Sequence, residues 1–296
     1  IKRGANMKIR AHETFCIRKG WLHKGIKNII TYTRLFTDKD INPCDILGIG
    51  TNMVKSLRYW MNAVGIMEEV NAGNMRIQRI TELGALINQH DMYYEEDGTN
   101  WAIHYMLAKN KDQATAWYWF FNVFKLNSCN KAIFVKELGE YLRTEFAYEC
   151  SENMLSDEFD CILKTYFTKD KDCSPENTMI CPLTELHLVE QMADRDYKKC
   201  VPDKDSLHPL IILGAICDWA ESDEILISDL MSKEGSISKI FNLDRATCFY
   251  YLDELRKLGY ISISRTAGLD VIKIIERTTF VEALGLYYRT INGELA

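Results

Sequence analysis

Ala11 to Gly25 of this chain read AHETFCIRKGWLHKG, and the adjacent His12 and Glu13 are the first side chains suited to metal or acid–base chemistry. A zinc-hydrolase helix places two histidines four residues apart beside a glutamate; here Cys16 stands where the second histidine would be. A lone His–Glu pair lacks a ligand set, so the expected role is structural: Phe15 and Trp21 fill core, and His12 or Glu13 bonds locally. Ten cysteines are present and no two form CxxC. Cys150, Cys161, Cys173, Cys181 and Cys200 match no standard zinc-ligand spacing, so the thiols are expected to be reduced and mostly buried. Phosphate-loop, dinucleotide and nucleophile-elbow glycine motifs are absent. Asp157, Glu158 and Asp160 fall on an expected helix, where a solvated face is the simpler reading than a nuclease site. Trp117 to Phe121 (WYWFF) is apolar all round and carries no interleaved cations, so it reads as core rather than a base-stacking platform. No catalytic residue, metal or cofactor is expected.

Binding chemistry is more evident. Leu47 to Glu68 read LGIGTNMVKSLRYWMNAVGIME. Thr51 suits a helix N-cap, because its hydroxyl can accept from an orphan backbone N–H. On a helical wheel Met53, Val54, Leu57, Trp60, Met61 and Val64 fall on one side, and Thr51, Asn52, Lys55, Arg58, Tyr59 and Asn62 on the other. That polar side has two cations, two amides and no acid, whereas a merely solvated face mixes both signs at i,i+4. Arg and Asn are the side chains that read guanine and adenine two-pronged in the major groove. Lys24 and Lys27 on the preceding helix would clamp phosphates, and Arg76 and Arg79 on a following hairpin would reach phosphates or the minor groove.

The elements that must position these groups fall into three parts. Residues 1–85 read as a basic domain of helix, helix, turn, helix and hairpin, the order of a winged helix-turn-helix. Its first helix is Trp21 to Tyr32, with Leu22, Ile26, Ile29 and Ile30 as the apolar stripe. A short helix starts at Thr37 and breaks at Pro43, and Asn71-Ala72-Gly73-Asn74 marks the hairpin turn. Residues 86–205 read as an acidic helical middle: two helices within 99–126, then Ala132 to Phe146 and Asn153 to Phe167. Lys169 to Pro182 and Asp194 to Asp205 read as exposed loops, the second a linker. Residues 206–296 repeat the first pattern: helices at 210–220 and 225–231, and a third opened by an Asp244 cap and ended by Gly259. A hairpin from Tyr260 to Ile275 and a last helix from Phe280 to Ile291 follow. On the third helix Arg245, Tyr250, Tyr251, Asp253, Glu254 and Lys257 face solvent with mixed signs.

Charge follows the same division. The net −6 of the 296 residues hides 14 Lys and Arg against 6 Asp and Glu in residues 1–80, but 13 against 23 in residues 81–205 and 9 against 13 thereafter. The first part suits a polyanion; the others repel one and suit protein partners. No apolar run approaches the roughly 18 residues that span a bilayer, and the basic start IKRGANMKIR has no apolar stretch behind it, so neither membrane nor secretion is expected.

HETFCIRKGWLHKG, LGIGTNMVKSLRYWMNAVGIME and TELGALI together resemble an uncharacterised prokaryotic family, a domain of unknown function. Its members are encoded beside DNA sulfur-modification (phosphorothioation) and phage-defence genes. The resemblance covers most of the chain from Arg10, strongest over residues 11–85. Ala11 stands where the family pattern has Gly, and Cys16 where Pro is common. The resemblance implies partners from that machinery, such as a phosphoadenosine-phosphosulfate-reductase-like protein or an ATPase, and implies no catalytic residues.

The expectation is a mainly α, multi-domain, cytoplasmic protein with small β-hairpins and a winged helix at each end. It would be a non-enzymatic subunit binding double-stranded DNA through Thr51, Asn52, Lys55, Arg58, Tyr59, Asn62, Lys24, Lys27, Arg76 and Arg79, with protein partners or a homodimer through the rest. Two alternatives stand beside it. One is a protein adaptor whose basic face docks an acidic partner; the other is a nuclease or sulfur-transfer enzyme using Cys173, Cys181 or Cys200.

Overall fold

The computed structural model describes residues 7–126, 128–167, 180–192, 195–266 and 269–294. Helix α1 (Trp21–Thr31) buries Leu22, Ile26 and Ile29, but Ile30 points out at 62% exposure. No helix forms at Thr37; instead α2 (Pro43–Leu47) begins at the proline, with the Asn42 side chain capping Cys44 N. Proline is favoured at a first helical position, where its missing N–H has no partner to lose. Helix α3 (Thr51–Ala63) is capped by Gly50, so Thr51 lies inside the helix rather than at its cap. Strands β1 (Met67–Ala72) and β2 (Met75–Ile80) pair from Met67↔Ile80 to Ala72↔Met75, and Gly73 takes the positive φ of 61° that the tight turn needs.

The middle segment is helical. It holds α4 (Glu82–His90), α5 (Asp97–Lys109), α6 (Thr115–Tyr118) running into a π-helical turn at Trp119–Val123, α7 (Lys131–Phe146) and α8 (Glu152–Tyr166). Thr81, Asn130 and Ser151 cap α4, α7 and α8 through their side chains. Trp117, Trp119, Phe120 and Phe121 are buried, as their uninterrupted apolarity requires. A small antiparallel sheet of β3 (Ser128–Cys129), β4 (Val189–Gln191) and β5 (Tyr197–Lys199) has the order β3-β5-β4. The expected linker at 194–205 therefore contains the central strand of a sheet. Its polar composition misled because Lys199 turns inward: its Nζ donates to Phe120 O at 3.0 Å and Phe124 O at 3.1 Å, and lies 5.4 and 5.7 Å from the centres of those two rings. Burial pushes that ammonium down to about 8. The expected loop at 169–182 lies mostly outside the described residues.

The last segment contains α9 (Pro209–Trp219), β6 (Glu224–Leu226), α10 (Ile227–Ser232), α11 (Ile237–Ile240), α12 (Arg245–Lys257), β7 (Ile261–Thr266), β8 (Leu269–Ile274) and α13 (Phe280–Ile291). The run expected as helix from Ile225 thus starts as strand β6, which joins the sheet β6-β8-β7. Asp244 caps α12 by accepting from Thr247 N at 2.7 Å. Tyr251, placed on the solvent side by the wheel, is fully buried.

The segments meet through α13, which packs on α9 and reaches α4 and α5. Gly98 N donates to the Tyr287 hydroxyl at 3.2 Å, and the Thr99 and Tyr288 hydroxyls lie 2.6 Å apart. A Cβ on Gly98 would lie 2.2 Å from the Tyr287 ring. Gly98→Ala is therefore expected to displace α13 and cost about 1–3 kcal/mol; an unchanged urea midpoint would show that the ring moves freely. The architecture is mainly helical with small antiparallel sheets. Among the described residues no helix is long and apolar enough to cross a membrane.

Candidate nucleic-acid interface

Two devices place α3. The first is the HETF loop. Arg10, Glu13 and Thr14 all take positive φ, 60°, 50° and 67°, a conformation costly for side chains with a Cβ and kept only where surroundings enforce it. What enforces it is His12, fully buried, stacked on Trp60 at 6.2 Å and edge-on to Trp117 at 5.8 Å. Its Nδ1 accepts from Thr14 N at 3.1 Å, the local bond the sequence suggests. Its Nε2, however, lies 3.3 Å from a carboxylate oxygen of Glu158, at ion-pair distance but without hydrogen-bond alignment. Glu158 is only 2% exposed and also accepts from Arg10 N. It is no part of a solvated face; its neighbours Asp157 and Asp160 are, paired with Arg10 at 2.5 Å and Lys131 at 2.7 Å. Phe15 completes the loop, its carbonyl accepting from Trp60 Nε1 at 2.9 Å.

The second device joins α3 to the hairpin. Arg58 forks onto Glu69, Nε at 2.5 Å and Nη2 at 2.8 Å, and Arg76 Nε reaches the same carboxylate at 2.7 Å. Burial works to raise the Glu69 carboxyl, but the Arg58 hydrogen bonds and the charges of Arg58, Arg76 and Lys8 outweigh it and hold it below the usual range. Lys8 is lowered, first by desolvation and then by repulsion from Arg58 and Arg76, with Glu69 opposing.

Between these devices opens a groove of about 550 Å³, lined among others by Lys8, Lys55, Arg58, Asn62, Arg76 and Gln113. Of the residues singled out in the sequence, Lys55, Arg58, Tyr59, Asn62 and Arg76 come together here. Lys55 is exposed, with Glu13 4.0 Å away. Asn62 is half-buried and donates to Arg58 O at 2.8 Å. Tyr59 is 7% exposed, packed on Trp60 and His12 rather than held out on the polar side. The wheel placed it outside because it counts only one covered face, whereas the HETF loop covers a second. Burial, and then the Glu158 charge, raise its hydroxyl well above its ordinary value.

The remaining predicted residues do not enter the groove. Thr51 and Asn52 are exposed at the start of α3, and Lys27 is exposed on α1. Lys24 is tied to α2, donating to Leu47 O at 3.1 Å. Arg76 and Arg79 lie on opposite faces of the hairpin, since pairs Asn71↔Arg76 and Glu68↔Arg79 are offset by an odd number of positions along an alternating strand. Lys8, Glu69 and Gln113 were missed. Lys8 belongs to the basic N-terminal run, but nothing in the sequence links Gln113, from the α5–α6 connection, to α3.

The arrangement offers cations to an anion over an open surface. Arg58 cannot read guanine two-pronged while its fork is on Glu69. Among the described residues no three of His, Cys, Asp or Glu converge to hold a metal ion. Cys181 is buried and Cys200 half-buried; burial raises both thiols, Cys200 to about 11, and Cys173 lies outside the described residues.

A family profile described as "Protein of unknown function (DUF4007)" matches residues 9–288. No curated protein matches the chain. Two solved structures share the fold. One, described as "SspB crystal structure", superposes with a TM-score of 0.82 at 22% identity, covering 98% of this chain and 88% of that one. The other, "Magnesium ion-bound SspB crystal structure", gives 0.83 at 22% identity over the same shares.

Proposed function

The chain belongs to the DUF4007 family of proteins of unknown function, and from that footing we propose that it is a non-enzymatic DNA-binding and recruitment subunit of a prokaryotic DNA-modification or phage-defence system. The observation that carries this reading is the convergence of Lys8, Lys55, Arg58 and Arg76 on one open groove, from the N-terminal segment, α3 and β2. We read α1 to β2 as a winged helix because it runs helix, short helix, helix, hairpin, and α9 to β8 as a second one in which strand β6 and two short helices, α10 and α11, stand between the longer helices α9 and α12. Exposed Asn52, Lys55 and Arg76, with Lys27 and Arg79 at the flanks, would contact phosphates and base edges. The resemblance to proteins encoded beside DNA sulfur-modification and defence genes supplies the setting. The likeness to SspB supports the same fold, and the magnesium ion belongs to that protein.

The C-terminal unit supports a protein-facing role. The exposed charges of its α12 neutralise one another: Asp253 is 2.7 Å from Arg256 and 3.0 Å from Lys257, which also reaches Glu254 at 2.8 Å. Leu258 and Ile275 are 55% and 61% exposed on the same unit, which leaves apolar surface for a partner.

The test is binding of a fluorescent DNA duplex across a salt series. Lys8→Ala/Lys55→Ala is expected to make the salt slope shallower by roughly two, one for each lost phosphate contact. These residues are chosen because neither braces the hairpin. An unchanged slope would place the contacts elsewhere, and no binding even at low salt would leave the adaptor reading.

A further inference from the structure

The contact between Arg58, Arg76 and Glu69 is unusual for a surface that binds anions. A carboxylate whose side chain is 5% exposed sits at the floor of a cationic groove, held by two guanidiniums that are 34% and 59% exposed. If its only task were to brace the hairpin, one arginine would suffice. Here four cations, Lys8, Lys55, Arg58 and Arg76, line the groove against two carboxylates, Glu68 and Glu69, so positive charge remains after the pairing. A carboxylate accepting a guanidinium fork has the shape and bonding of two phosphate oxygens, and arginine takes either in the same geometry.

We propose that the space bounded by Lys8, Arg58 and Arg76 is a seat for a single phosphate group, and that Glu69 both holds the two guanidiniums in place and competes with that phosphate. This rests on the groove being the DNA-facing surface, and it names the chemistry the groove selects. A free backbone phosphate must lie beside a fixed negative charge, which lowers affinity for any duplex segment that does not make further contacts. Glu69 thus limits non-specific binding while leaving the seat formed. The cost is coulombic and short-ranged: a like charge about 4 Å away at a protein surface is worth at least a tenfold change in affinity.

Glu69→Gln keeps the shape and an acceptor oxygen but removes the charge. With a labelled duplex it is expected to bind about tenfold more tightly than the wild type and to steepen the salt slope by roughly one. Glu69→Asp, which keeps the charge, is expected to stay near wild type. Inorganic tripolyphosphate supplies a second readout that needs no DNA: it should raise the melting temperature of Glu69→Gln more than that of the wild type, and Arg76→Ala should lose the rise. Arg76 is the more exposed of the two arginines, so that variant keeps the test open if Glu69→Gln fails to fold. Equal or weaker binding of both probes by folded Glu69→Gln would overturn the proposal and leave Glu69 as a brace. So would a tripolyphosphate effect that survives Arg76→Ala. A tripolyphosphate effect that follows the proposal, with no duplex bound by any variant, would keep the phosphate seat and remove the DNA reading.

Discussion

Glu158→Ala is expected to destabilise the fold by about 2–4 kcal/mol, because it leaves a buried backbone donor without its acceptor and opens a cavity. Glu158 is 2% exposed and His12 fully buried. Without the carboxylate, His12 Nε2 loses the oxygen that lies 3.3 Å from it, and Arg10 N loses the acceptor that fixes its positive φ. Two desolvated donors and a strained loop would then face a cavity, and each contributes in the same direction. Glu158→Gln retains volume and an acceptor and is expected to cost about 1–2 kcal/mol, near the net worth of a charge-assisted hydrogen bond. Urea unfolding with an unchanged m-value is the measurement. A loss under about 1 kcal/mol for the alanine variant would mean that the loop is held by the Trp60 and Trp117 rings and not by the carboxylate. Because the loop braces α3, Glu158→Ala is also expected to weaken duplex binding although Glu158 touches no groove residue's cation.

The second large effect lies in the pH dependence of stability. His104 is fully buried among Trp101, Phe121, Tyr166 and Phe241. The Ile240 carbonyl can only accept, so Nε2 carries the proton and donates to it at 2.8 Å, while Nδ1 accepts from the Tyr166 hydroxyl at 2.8 Å. Burial pushes the imidazole down from 6.5 to about 4, with the Ile240 bond opposing. The folded-state value is depressed, so in that window the unfolded chain binds more protons than the folded one. The His104 contribution is fully present above pH 6.5 and is lost as the pH falls toward 4, by about 3 kcal/mol in all. Urea midpoints between pH 7 and pH 4 would be compared for wild type and His104→Gln, which cannot titrate there. The variant starts less stable but should lose less on acidification; parallel curves would show that His104 is not what makes the fold acid-sensitive.

How far the sequence led depends on whether a residue's partners are local. Leu22, Ile26 and Ile29 of the α1 stripe, the Asp244 cap and the Gly73 turn need only neighbours a few positions away and were legible, whereas Ile30, expected in that stripe, is exposed. The Thr51 cap and the helix before Pro43 failed by a residue or a few, because Gly50 and Asn42 compete for the same role and either choice satisfies the local pattern. The larger misses all have distant causes. Glu158 looks solvated until the HETF loop is laid over it, and Tyr59 looks exposed for the same reason. Residues 194–205 read as a linker because the signal for β5 is a lysine whose acceptors lie on the π-helical turn. Within the groove, the acid-free face of α3 was legible and its neutralising Glu69 was not, since a strand residue and a helix residue share no periodicity. Membership of the family rested on quoted segments rather than on physics, and it held.

The docking of α13 on α4 and α5 also sets an order of events during synthesis. The Gly98–Tyr287 and Thr99–Tyr288 bonds each close over 189 residues. At bacterial or eukaryotic elongation rates of roughly 5–20 residues per second, on the order of 10–40 seconds separate the making of the two sides. Throughout that interval the nascent chain presents the uncovered flank of α5, and no local element can take the place of the two tyrosines. Contacts this remote in sequence also make refolding slow for a largely helical protein. A ribosome that stalls before residue 280 therefore releases a substrate for chaperones and proteases, not a smaller working subunit.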